Sequence, residues 1–207
     1  MSNKNPDMSA EAHAHNIIID KREIFVHGSY SQEDCDPGVD WRMANTLIKN
    51  LRILENISLG DIYIHQMSIG GDEEAGFMMY DAIKQSKCHI TIYTHGVAAS
   101  MGSIVPQAAD YRITMPNCCW LIHRGTTGIS THLTRNQAKS WAAWEDHCDK
   151  RMIDIYVSKC MSSIFYKGKS ESYVRAAIKR KLDSKGDWFL TSDEAVEYGF
   201  ADVVEKS

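Results

Sequence analysis

Ser100 stands where a reactive hydroxyl would stand. The apolar run Ile90-Thr91-Ile92-Tyr93 has the character of a β-strand and ends toward Gly96, and the small residues Val97-Ala98-Ala99 follow. After Ser100, Met101-Gly102-Ser103-Ile104-Val105 reads as the opening of a helix. A serine at a strand-to-helix turn projects its Oγ outward beside the backbone N–H groups of the helix start, the geometry of an acyl-transfer nucleophile next to an oxyanion site. The same small residues also suit a plain close-packed connection. A second candidate is His123, at the end of the strand-like run Cys119-Trp120-Leu121-Ile122. A histidine there serves as a general base or as a satisfied core residue. A third is the pair Gly70-Gly71, which follows the strand-like Asp61-Ile62-Tyr63-Ile64-His65.

The elements around these residues place them together. Strand-like and helical segments alternate from Asp61 to His123, the βαβ pattern of a mostly parallel sheet covered by helices. In such sheets chemistry gathers beyond the carboxyl ends of the strands. Gly70-Gly71, Ser100 and His123 each fall at such an end, so one edge of the sheet would collect all three.

Elsewhere the pattern is regular. Residues 1–15 read as a mobile polar arm, in which His13-Ala14-His15 is not taken as a metal site. Ile17-Ile18-Ile19 and Glu23-Ile24-Phe25-Val26 are β-type, the second ending at Gly28, and residues 29–38 form a loop. Trp41, Ala44, Leu47, Ile48, Leu51 and Leu54 recur at helical spacing. Asp72-Glu73-Glu74 opens a helix, with acidic residues where the helix dipole favours them. A long helix spans His132 to about Cys160, with Trp141, Trp144, Cys148, Met152, Ile155 and Tyr156 on one continuous apolar stripe. Ser170–Leu182 is a further helix. Thr191 or Ser192 caps a last short one, which Gly199 ends before the strand Ala201–Val204.

Composition narrows the class. The chain has 207 residues, 43% of them hydrophobic and 24% charged, which suits a folded domain with a full core. A net charge of -4 makes no case for nucleic acid, which usually wants a basic face. No apolar stretch reaches the roughly 20 residues of a membrane span, and the polar N-terminus lacks a signal core. The six cysteines, Cys35, Cys88, Cys118, Cys119, Cys148 and Cys160, show no CxxC pair and read as reduced thiols. A cytoplasmic location is expected.

From about Arg22 to Val204 the sequence resembles the proteolytic subunit of the Clp protease family of serine peptidases. The resemblance is carried, in order, by Ile24-Phe25-Val26-His27-Gly28, by Asp61-Ile62-Tyr63-Ile64 with Gly70-Gly71, and by Gly96-Val97-Ala98-Ala99-Ser100-Met101-Gly102. Leu121-Ile122-His123 follows, and then Asp187-Trp188-Phe189-Leu190 leading into Glu194-Ala195-Val196-Glu197-Tyr198-Gly199. It implies an α/β fold, a crotonase-like spiral of ββα units with a projecting helical handle at about 125–165. Residues 16–207 would then be a single peptidase domain.

It further implies Ser100 as nucleophile, His123 as general base and Asp187 as orienting acid, with the backbone N–H groups of Gly71 and Met101 as the oxyanion hole. Asp183 and Asp193 are local rivals of Asp187, which alone directly precedes Trp188-Phe189-Leu190. No metal or organic cofactor is needed. The implied substrate is unfolded polypeptide, with apolar residues favoured before the scissile bond. The implied assembly is a homo-oligomeric heptameric ring, single or stacked, served by an AAA+ unfoldase.

Four departures concern ring pairing and loop rigidity rather than chemistry. Ile69 replaces the family's proline, Gly186 (after Lys185) replaces an arginine, the glycine-rich stretch is reduced to Gly125-Thr126-Thr127-Gly128, and the segment between Cys160 and Asp187 is longer. Rival readings are a catalytically silent ring subunit, a processing protease dedicated to one substrate, and an acyl-thioester enzyme on the same spiral fold.

Overall fold

In the computed structural model, residues 8–26, 38–125 and 132–206 are described. The order of elements is α1 (Met8–His15), β1 (Ile17–Ile18), β2 (Glu23–Val26), α2 (Trp41–Ile57), β3 (Ile62–Ser68), α3 (Glu73–Lys84) and β4 (Ile90–Ala99). Then come α4 (Met101–Ile104), β5 (Tyr111–Thr114), β6 (Cys119–Ile122), α5 (Arg135–Cys160), α6 (Glu171–Lys185), β7 (Trp188–Leu190), α7 (Ser192–Tyr198) and β8 (Val203–Val204).

The strands form one sheet in the order β1-β2-β3-β4-β5-β8, with β6 attached to β4 and β7 to β6. Pairing is parallel from β2 through β8 and between β4 and β6; β1 with β2 and β6 with β7 are antiparallel. The sheet forks at Gly96. Before it, Thr91–Thr94 of β4 pair with β5, and after it Val97–Ala99 pair with β6. The sequence pattern ends this strand near Gly96, yet it continues to Ala99. The reason is the second partner: β6 supplies hydrogen-bond groups for peptide units that would otherwise be left bare.

The helices follow their sequence signals. Asp40 caps α2, its Oδ1 accepting from the Met43 N–H at 2.9 Å, and Ala44, Leu47, Leu51 and Leu54 turn inward. Capping boxes open α5 (Thr134 with Gln137) and α7 (Thr191 with Glu194). The inward residues join one buried apolar cluster that includes Ile24, Ile64, Met79, Ile92, Trp120, Tyr156 and Phe200.

Three features are not legible in the sequence. Residues 8–15, read as part of an arm, form α1; it buries no side chain, but its end is tied down by Asn50, whose Nδ2 donates to the His15 carbonyl at 2.8 Å. On α5 the apolar stripe is split: Cys148, Met152, Ile155 and Tyr156 are buried, while Trp141 and Trp144 are 46% and 43% exposed. Arg112, not singled out from sequence, is buried. It donates from Nε to Asp202 Oδ2 at 3.0 Å and from Nη1 to the Gly199 carbonyl at 2.8 Å, fastening β5 to the C-terminal segment. Cys88, Cys118, Cys119, Cys148 and Cys160 are free thiols, and Cys35, Gly28 and the loop up to residue 37 lie outside the described residues. No helix among the described residues is long and apolar enough to cross a membrane.

Candidate active site

Four segments meet at one end of the sheet. β3 ends at Ser68 and leads to Gly70-Gly71, β4 ends at Ala99 before Ser100, and β6 ends at Ile122 before His123. Asp187 arrives from the opposite direction. Because β7 runs antiparallel to β6 with Ile122 opposite Trp188, the residue after one strand stands beside the residue before the other. His123 Nδ1 lies 3.4 Å from Asp187 Oδ1. The two rivals go elsewhere: Asp183 Oδ1 accepts from Arg124 at 2.8 Å, and Asp193 sits in the first turn of α7.

The other ring nitrogen of His123 is the informative atom. Nε2 is buried and has no hydrogen-bond partner among the described residues, the Ser100 hydroxyl included. A buried polar atom without a partner is unfavourable by about 1–3 kcal/mol, and such atoms concentrate where a ligand or a reacting group supplies the missing bond. Ser100 and His123 line the same cleft, of about 370 Å³. Hydrogen bonds at such sites tighten when substrate arrives.

Ser100 is held in a backbone conformation, φ 53° and ψ −126°, that non-glycine residues rarely adopt. Its N–H donates to the Leu121 carbonyl at 3.0 Å, and its own carbonyl accepts from the Ser103 N–H at 2.8 Å and the Ser103 hydroxyl at 2.7 Å. The Ser103 hydroxyl lies 2.7 Å from the buried Tyr156 hydroxyl on α5, so the turn is fastened from both sides. Strain of this kind persists only when neighbours over-determine it.

Glycine is required next door. A Cβ on Gly70 (φ +91°) would lie 2.5 Å from Ser100 Cβ, and one on Gly71 (φ +150°) 2.4 Å from the Val39 carbonyl oxygen. Val39 forms a parallel bridge to Gly71, donating to Gly70 O and accepting from Asp72 N–H, both at 2.8 Å. In a parallel bridge the flanking residues make those bonds, so the N–H of Gly71 faces away from Val39. The Met101 N–H, first in α4, has no intrahelical acceptor. Both are backbone donors bordering the cleft that holds Ser100.

The lining of the cleft is mixed. Met101, Ile104 and Met152 give it a buried apolar lining, and Trp141 and Trp144 an exposed aromatic one. The expected apolar character is therefore only half of it, since Asp72, Glu73, Glu74 and Glu145 line it as well. Burial pushes the Glu73 carboxyl up, and Glu145 and Glu74 add to this, while the Cys148 thiol and the Arg151 guanidinium oppose it. The Cys148 thiol is itself pushed up to about 11 by burial and by Glu73.

A family model described as Clp protease matches residues 12–207. The chain belongs to the Clp protease family. It is 29% identical over 185 residues to an ATP-dependent Clp protease proteolytic subunit 2 from Pseudomonas aeruginosa, covering 88% of this chain and 80% of that one. Among solved structures, a ClpP1 mutant from Listeria monocytogenes shares its fold with a TM-score of 0.72 and 24% identity, over 91% of this chain and 94% of that one. The family resemblance and the α/β fold expected from it are thus those found, and the chain is a homologue of peptidases.

Within this Clp protease homologue, Ile69 is exposed between Ser68 and the glycine pair, and Gly186 adopts φ +68° at the end of α6. Gly125 is described, whereas residues 126–131 lie outside the described residues. Sequence reasoning does not place Glu73, Glu145, Trp141 and Trp144 beside this cleft. One sequence signal is available: Asp72-Glu73-Glu74 directly follows Gly70-Gly71, so a helix starting there must border whatever the glycines border.

Proposed function

We propose that this chain is a serine endopeptidase that hydrolyses unfolded polypeptides through an acyl-enzyme, with Ser100, His123 and Asp187 as its triad. One observation supports this above the others: the histidine flanked by Asp187 on one side leaves its second nitrogen buried and unsatisfied, and that histidine lines the same cleft as Ser100. In the first half-reaction Ser100 Oγ attacks the substrate carbonyl carbon while its proton passes to His123 Nε2. The carbonyl oxygen becomes an oxyanion facing the N–H groups of Gly71 and Met101. As the C–N bond breaks, the amine leaves with the proton from His123. Water then repeats the sequence on the ester, releasing the acid and restoring Ser100. Asp187 fixes the tautomer that keeps Nε2 free and stabilises the imidazolium.

Copies of the chain would form a heptameric ring, single or stacked, that encloses these sites in the cytoplasm. An AAA+ unfoldase would deliver folded substrates; the relative from Pseudomonas aeruginosa is named as ATP-dependent. The test uses the assembled protein. Wild type is expected to cleave fluorogenic peptides and to take up a fluorophosphonate at Ser100, and Ser100→Ala to do neither. Wild-type activity in Ser100→Ala, or well-folded assembled wild type that stays unlabelled, would overturn the proposal. Native mass measurement tests the ring, which a monomer would exclude.

A further inference from the structure

The sheet has a second face, turned away from the apolar cluster, and it carries a side-chain group of its own. Along β3, Tyr63, His65 and Met67 alternate with the buried Ile62, Ile64, Gln66 and Ser68, and on β4 Tyr93 and His95 take the same side. β2 adds Phe25, which pairs with His65 as His65 pairs with Tyr93. His65 is stacked on both of these neighbours. Its ring centroid lies 5.2 Å from that of Phe25 and 5.1 Å from that of Tyr93, with interplanar angles of 17° and 18°. The imidazole is therefore held in one orientation.

Two ring nitrogens meet in this row. His65 Nδ1 lies 3.1 Å from His95 Nε2. Such a contact needs one N–H and one lone pair, so at least one of the two nitrogens is unprotonated. Burial lowers the pKa of both rings, and His95 lowers that of His65 further while the charge of Glu23 opposes it. Two imidazole nitrogens about 2.0–2.1 Å from one metal ion, at an angle of about 90–110°, are themselves about 2.8–3.4 Å apart. The observed spacing falls inside that range. If the shared proton moves to the far nitrogen of its own ring, both lone pairs face one ion and no proton is lost.

The third donor selects the metal. Met67 follows His65 by two residues on the same side of β3, and its side chain lies over Gly96, the residue after His95. A Cβ on Gly96 would be 3.7 Å from Met67 Cγ and 3.8 Å from Met67 Sδ. Met67 is 45% exposed, so an arriving ion can reach its thioether. Among the described residues no three histidines, cysteines or carboxylates are grouped to hold a metal. The pair thus lacks the further nitrogen, thiolate or oxygen ligands with which zinc completes its tetrahedron, and the oxygen ligands that magnesium and calcium require. Imidazole with a soft thioether suits copper(I). We propose that His65, His95 and Met67 bind one copper(I) ion on this face of the sheet, with solvent on its open side. The ion ties β3 to β4 and takes no part in peptide hydrolysis.

The experiment titrates the assembled protein with copper(I), kept reduced by ascorbate under nitrogen and supplied as its bicinchoninate complex. It compares wild type with His65→Phe, His95→Gln and Met67→Leu. Phenylalanine preserves the stack between Phe25 and Tyr93. Leucine replaces methionine at nearly equal volume, so Met67→Leu keeps the test open even if a histidine variant misfolds. The cysteines also take copper(I), and the reading is the difference between proteins. Wild type is expected to hold one ion per chain more than either histidine variant, and Met67→Leu to hold that ion about tenfold more weakly. Equal uptake by wild type and the folded histidine variants would place the copper on thiols and overturn the site. Unchanged affinity in Met67→Leu overturns the thioether ligand and the choice of copper(I) with it, as does zinc that displaces the ion in competition.

Discussion

Gly70→Ala should damage the site out of proportion to one methyl group. Two effects add. At φ +91° an alanine is strained whatever surrounds it, by about 1–2 kcal/mol. Its Cβ would also lie 2.5 Å from Ser100 Cβ and 2.8 Å from the Ala99 carbonyl oxygen, both well inside ordinary contact. Restoring contact requires a shift of about 1 Å, and overpacking of this kind is unfavourable by about 1–3 kcal/mol. Together they predict a loss of about 2–5 kcal/mol in stability. A displacement of that size at the nucleophile lowers the rate about 10²-fold. Gly168→Ala separates the two effects, since Gly168 has φ +76° and nothing among the described residues within 4 Å of an added methyl, so it carries the backbone strain alone. Urea denaturation gives the stabilities, and peptide hydrolysis with fluorophosphonate labelling rates gives the site. If Gly70→Ala matched Gly168→Ala in both measurements, the claim that Gly70 makes room for Ser100 would be wrong.

Two more outcomes follow from the same geometry. Asp187→Asn should lower kcat about 10³–10⁴-fold with folding intact, whereas Asp183→Asn, which disturbs only an exposed pair with Arg124, should change peptide hydrolysis less than about twofold and stability by about 1 kcal/mol at most; equal losses would dissolve the distinction between them. Asp202→Ala strands the buried Arg112 cation and should destabilise the fold by about 3 kcal/mol in urea titration, and an unchanged midpoint would show that the tie between β5 and the C-terminal segment matters little.

Much of this is legible in the sequence because a parallel sheet turns a linear pattern into a place. Gly70-Gly71, Ser100 and His123 each read as the end of a strand, and parallel pairing then brings such ends to one edge. What is not legible depends on pairing between distant segments. Gly96 reads as a stop, and only the arrival of β6 carries β4 on to Ala99. Trp141 and Trp144 keep helical spacing with Cys148 and Met152, so periodicity puts them all inward; the core ends partway along α5, which no local pattern marks. Asp72-Glu73-Glu74 has a sufficient local explanation in the helix dipole, and that explanation hides its second position beside the cleft. Asp183, Asp187 and Asp193 are separated by their neighbours in space, Arg124 for the first and His123 for the second, and no local pattern shows these.

The contact between His123 and Asp187 also orders events in time. Ser100 and His123 are made early, on strands that can pair with each other as soon as both exist, while the carboxylate comes from a strand far downstream that docks only after α5 and α6 have been synthesised. A chain still in synthesis therefore carries the hydroxyl and the imidazole before the carboxylate that contacts the imidazole. With the roles proposed above, nascent copies would stay harmless to themselves and to their neighbours until β7 has emerged and settled onto the sheet.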